Sequence, residues 1–173
     1  MWIVLAICSA MCLGIYDIFK KASVKGNDVL SVLMLNTLFG SLLLSPVIIG
    51  NIADGTWGFN GDSHSHLLIL VKSFIVLSSW ILGYFSIKHL PITINGPISA
   101  TRPVLVLLGA VIIFGENLNA LQYTGIILGF CSLFFISRIG KKEGFSMTHS
   151  RWIWLCLAST LMGAISALYD KYL

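Results

Sequence analysis

Charge is scarce in this chain. Lysine and arginine number eleven, aspartate and glutamate seven, and charged side chains make up only 10% of 173 residues while 57% are hydrophobic. At a mean hydropathy of +0.90 there is too little polar surface to coat a soluble globule of this length. Long polar segments are missing too. The longest connection between apolar runs is the Gly/Asp/His-rich stretch 51–66, which leaves no room for a soluble domain. The net charge of +4 is scattered through short loops and not gathered on one surface, which excludes a nucleic-acid partner. Cysteine is sparse, and Cys8, Cys12, Cys131 and Cys156 all lie inside apolar runs, where neither a disulfide framework nor a zinc spacing is expected. His64 and His66 form only a weak metal signal, so no metal and no cofactor are expected. The first apolar run lacks both a positive n-region and a small-residue cleavage site, and reads as a retained helix.

What is present is lipid-compatible length. A helical span needs about 20 apolar residues, and six runs qualify: Trp2 to Phe19, Val29 to Gly50, Leu67 to Ile87, Ile92 to Phe114, Leu121 to Ser137, and Trp152 to about Tyr169. If they alternate in direction, Lys20, Lys21, Lys25, Lys88, Arg138, Lys141, Lys142 and Arg151 share one side, and the opposite loops hold no Lys or Arg. The positive-inside rule makes the basic side cytoplasmic and places the N-terminus outside. The predicted fold is an all-α, polytopic transmembrane bundle.

An internal echo suggests how the chain is organised. Gly14-Ile15-Tyr16-Asp17-Ile18-Phe19 near the end of the first span matches Ala167-Leu168-Tyr169-Asp170-Lys171-Tyr172 near the end of the sixth, 153 positions later. At that offset Ala6, Ala10 and Gly14 fall on Ser159, Gly163 and Ala167. A repeat unit of five spans is odd, so its second copy enters the membrane inverted. Residues 1–137 would then be a first five-helix repeat, 138–151 a basic connecting loop, and 152–173 the first helix of an incomplete second repeat. The chain reads as a fragment, in which the sixth helix lacks the neighbours for its small-residue face. The missing half, or a second copy, is an expected partner.

Polar groups inside the spans mark candidate function. Arg102 stands mid-span between Asn95-Gly96-Pro97 and Pro103. A central guanidinium costs roughly 2.5–3.5 kcal/mol on insertion scales, so such residues usually face a bundle interior or a polar cavity. Two prolines freeing carbonyls on either side fit backbone that lines a pathway; pairing with a carboxylate for assembly is the rival account. Lys72 lies near enough to the start of its span to snorkel or to meet a solute. Asn36, Trp80 and Tyr84 are candidate cavity residues, and Arg102 with Lys72 would attract an anionic solute group. Asp17 and Glu116 are the acidic groups for coupling or for structural pairing, with Lys20 and Lys21 as local partners of Asp17. Gly125 and Gly129 permit close helix approach, and Asn119 with Gln122 looks like a capping box ahead of the fifth span.

The stretch Tyr84-Phe85-Ser86-Ile87-Lys88-His89-Leu90-Pro91-Ile92-Thr93, followed by Arg102-Pro103, Phe114-Gly115-Glu116-Asn117-Leu118, Gln122 and Gly125, resembles the drug/metabolite transporter superfamily, specifically proteins with EamA-type repeats. The resemblance implies ten helices in two inverted five-helix repeats around a cavity that opens to alternate sides, six of which are in this chain. It also suggests a cytoplasmic N-terminus, opposite to the Lys/Arg distribution. The functional expectation is part of a secondary transporter in a bacterial inner membrane, moving a small metabolite or drug-like solute by alternating access. A structural or assembly subunit is the main rival. A membrane-embedded enzyme is disfavoured, since the loops offer no recognisable catalytic set.

Overall fold

The computed structural model describes residues 2–53, 63–115, 118–142 and 150–172, which form helices and short connections. The helices are α1 (Trp2–Val24), α2 (Val29–Ala53), α3 (Ser63–His89), α4 (Ile92–Ser99), α5 (Arg102–Phe114), α6 (Ala120–Lys142) and α7 (Arg151–Tyr172). Among the described residues, five segments are long and apolar enough to cross a membrane: Ile3–Val24, Val29–Ile52, Ser63–His89, Ile92–Phe114 and Arg151–Tyr172. The all-α polytopic bundle is therefore as expected.

The fourth span is two helices in one apolar run, as the paired prolines imply. Pro103 lies in the first turn of α5, where its missing N–H costs nothing, and Thr101 precedes that helix. The Thr101 hydroxyl donates to the carbonyl of Ile98 at 2.7 Å, satisfying one acceptor at the break. Gly115 closes α5 in the left-handed region at φ 64°, a conformation that favours glycine. At the start of α6 the Gln122 side chain accepts from the Asn119 amide at 2.8 Å, the return bond of the anticipated capping box.

The heart of the bundle is the antiparallel pair α3 and α7. Its register is fixed along its length by Lys72 with Asp170, Ser79 with Ser159, and the His89 ring stacked on Trp152. Ser79 and Ser159 exchange bonds: each hydroxyl donates to the other's carbonyl, at 2.9 and 2.8 Å. Gly83 permits this approach, since a Cβ there would come within 2.8 Å of the Ser159 hydroxyl. Without a hydrophobic drive between helices in lipid, such close packing and hydrogen bonding hold the pair.

That arrangement corrects one expectation. The small-residue face of the last helix is already covered: Ser159 meets α3, and Gly163 meets Arg102 of α5. The glycine pair of α6 is also used unequally. Gly129 abuts Val104, whereas Gly125 has open space around it. By contrast the first part of α1 is apolar and exposed, with Leu5, Ile7, Met11 and Leu13 each more than half accessible. Helices of that kind face lipid or another helix.

Candidate functional site

A cavity of about 410 Å³ opens where α1, α2 and α3 diverge. Polar side chains from all three helices meet on its wall: Tyr16 and Lys20 of α1, Asn36 of α2 and Tyr84 of α3. Tyr16 and Lys20 are four residues apart, one helical turn, and so share a face of α1. The Tyr16 and Tyr84 hydroxyls are 3.2 Å apart, and the Asn36 amide donates to the Tyr16 hydroxyl at 3.3 Å. The Lys20 ammonium lies 4.1 Å from the centre of the Tyr84 ring and 5.8 Å from that of Tyr16. Asp17 and Arg102 are both within electrostatic reach of Lys20, the first attracting and the second repelling it.

The connection from α1 to α2 ties one end of these three helices together. Lys21, expected as a local partner of Asp17, donates instead to the carbonyls of Ile87, Lys88 and Leu90, at 2.5, 3.1 and 2.7 Å, so α1 caps the end of α3. Lys88 donates in return to the carbonyl of Asn27 at 2.8 Å. Asp28 begins α2, accepting from the Ser31 amide and hydroxyl at 3.1 Å each, and these bonds hold its carboxyl below the usual aspartate range.

The sequence-predicted residues are distributed unevenly around this site. Asn36 and Tyr84 line the cavity. Arg102 stands beside it, its guanidinium laid against Gly163, with no hydrogen bond to it among the described residues. Lys72 lies elsewhere, in an ion pair with Asp170 that joins α3 to α7. Trp80, 45% exposed, is also off the cavity wall. Asp17 is half-buried near Lys20 and Tyr84. Glu116 lies outside the described residues.

Tyr16, Lys20 and Gly163 do not stand out as site residues in the sequence. Tyr16 belongs to the repeat motif, Lys20 falls among the loop charges, and Gly163 is one of a row of small packing residues. The one-turn spacing of Tyr16 and Lys20 was the available signal.

A second polar cluster pins α3, α4 and α7 together. The Ser86 hydroxyl donates to the Asn95 side-chain oxygen at 2.6 Å, and the Cys156 thiol approaches the same oxygen at 3.3 Å. These groups satisfy one another between helices, a packing role. Among the described residues no group of three or more His, Cys, Asp or Glu could hold a metal.

The model of a family described as EamA-like transporters matches residues 1–138. An uncharacterized transporter of Archaeoglobus fulgidus is 26% identical over 141 residues, covering 81% of this chain and 49% of that protein. The chain thus spans about half the length of the curated relative it matches. No solved structure matches.

Proposed function

The chain belongs to the EamA-like transporter family, and from that premise we propose that it forms part of a secondary transporter that moves a small metabolite across a prokaryotic cytoplasmic membrane by alternating access. The observation that carries this reading is the polar wall of Tyr16, Lys20, Asn36 and Tyr84 around a cavity between helices that are otherwise apolar. Polar and ionisable side chains are expensive inside a bilayer and persist where water or a solute reaches them. Helices α3 and α7 form the firm part, tied by hydrogen bonds and an ion pair. Helices α1 and α2 meet α3 chiefly near the Lys21 and Asn27 end and diverge beyond it. Movement of these two helices against the α3–α7 pair would open and close the cavity. The full pathway would be completed by a second half, as further chain or as another copy, in keeping with the twofold greater length of the relative.

Arg102 has two readings. Its charge beside the cavity favours a place on the solute path, and its contact with Gly163 favours a role in seating α7 on α5. Proteoliposomes containing the full chain, loaded with a cell extract and followed by mass spectrometry of released compounds, test the transport proposal. Wild type should release a restricted set of small metabolites, and Asn36→Leu and Arg102→Gln should fold normally yet slow that release. Equal release from protein-free liposomes would overturn transport. Normal release by a well-folded Arg102→Gln variant would assign Arg102 to helix seating alone.

A further inference from the structure

Several donors on the wall of the α1–α2–α3 cavity are left unused, and one of them is a cation. Tyr16 and Tyr84 have two hydroxyl protons but share a single O···O contact, so one proton has no acceptor whichever residue donates. Asn36 uses one amide hydrogen on Tyr16, leaving another. Lys20 donates no hydrogen bond and makes no ion pair among the described residues; its ammonium rests on the Tyr84 ring. Lys20 feels the attraction of one carboxylate, Asp17, and the repulsion of a second cation, Arg102. A cation–aromatic contact offsets only part of the cost of removing an ammonium from water, and a half-buried ammonium without an acceptor calls for a partner. Phe19 and Phe39 extend the wall on the apolar side.

We infer that this cavity takes an amphipathic organic anion, its carboxylate received by Lys20 with the Tyr16, Tyr84 and Asn36 donors, and its apolar body lying against the aromatic wall. The inference rests on the reading of the cavity as a solute site and adds both the charge class of the solute and a recognition residue, Lys20, not found from the sequence. Arg102 contributes to the same positive field from beside the cavity, without touching the ligand. Lys72, neutralised by Asp170, takes no part.

A charge series on one ring system tests this. Indole-3-acetate, indole-3-acetamide and tryptamine have the same aromatic body and differ in the sign of the side chain. Binding of each to the full chain in lipid nanodiscs is measured by titration, for wild type, Lys20→Gln and Lys20→Arg. The acetate should bind wild type about tenfold more tightly than the amide, as one charge-assisted hydrogen bond replaces a neutral one, and tryptamine more weakly than either. Lys20→Gln should bring acetate and amide to equal affinity, and Lys20→Arg should keep the preference, which also shows that position 20 tolerates substitution. Equal binding of acetate and amide to wild type would overturn the anion assignment while leaving the cavity as a solute site. A preference that survives in Lys20→Gln would remove Lys20 from recognition. Failure of all three probes to bind would sink both the anion assignment and the solute-site reading.

Discussion

The guanidinium of Arg102 lies against the backbone of Gly163, so close that a Cβ at position 163 would come within 2.5 Å of its Cζ and Nε atoms. One glycine thus sets the position of the charge that stands in the middle of the fourth span. The obstructing atoms belong to the far end of a flexible side chain, so Gly163→Ala should be tolerated with a small shift of the guanidinium. Gly163→Leu should lower stability by about 1–3 kcal/mol, the usual range for overpacking. Adding Arg102→Ala should recover about 1 kcal/mol of that loss, because the two sites are in contact and do not act independently. A double-mutant cycle by denaturant unfolding in micelles measures the coupling. Strict additivity would show that the two groups do not meet.

Lys72 and Asp170 form an ion pair between α3 and α7, with side chains 29% and 52% exposed. Pairs that reach water contribute about 0–1 kcal/mol, so Lys72→Met and Asp170→Asn should each cost less than about 1 kcal/mol. Lys72→Asp should cost more, by placing two carboxylates together, and Asp170→Lys in the same chain should restore most of the loss. Thermal unfolding of the four variants in detergent decides this. A reversed pair no better than the single Lys72→Asp variant would mean that the pair contributes nothing to the α3–α7 contact.

The limits of the sequence are physical. Lipid-spanning helices are legible because the bilayer sets their length, and the break before Arg102 is legible because proline removes a donor wherever it stands. Partner choice is not written in hydropathy. Lys72 reads from the sequence as a solute-binding candidate, and Lys20 and Lys21 as local partners of Asp17. Helix packing then separates them into an ion pair with Asp170, a cavity wall over Tyr84, and a cap on α3. Asn36 and Tyr84 were identifiable as strong hydrogen-bonding groups inside apolar spans, but their meeting through Tyr16 depends on where α1 lies against α2 and α3. The small-residue row of α7 announced close packing without saying against what.

Acid should weaken the start of α2 through Asp28. The Ser31 amide and hydroxyl both donate to its carboxylate, and its pKa lies below the ordinary value of 3.8. A folded-state pKa below the unfolded one means stability that is present above the unfolded value and lost as pH falls through the folded one. The stability advantage of wild type over Asp28→Asn should therefore be constant above about pH 5 and shrink steadily below about pH 4. Unfolding of both proteins across that range is the measurement. An advantage that grows on acidification would contradict the sign of the shift.

Lys21 has the largest predicted effect of the loop-side cations. Three carbonyls at the end of α3, those of Ile87, Lys88 and Leu90, converge on its ammonium, and two of them are acceptors that a helix end leaves without intrahelical donors. Hydrogen bonds to charged groups contribute about 1.5–3 kcal/mol, less where water can take over, and Lys21 is only partly covered. Lys21→Met, which keeps most of the stem, should therefore cost about 1–2 kcal/mol. Lys88→Met removes a single bond to Asn27 and should cost about half as much or less. Because Lys21 joins α1 to α3 directly, its loss should also loosen α1, increasing hydrogen exchange through residues 16–24 while the α3–α7 pair stays protected. Unchanged exchange in α1 alongside normal stability would show that the α3 carbonyls are satisfied by water and that α1 is held by other contacts.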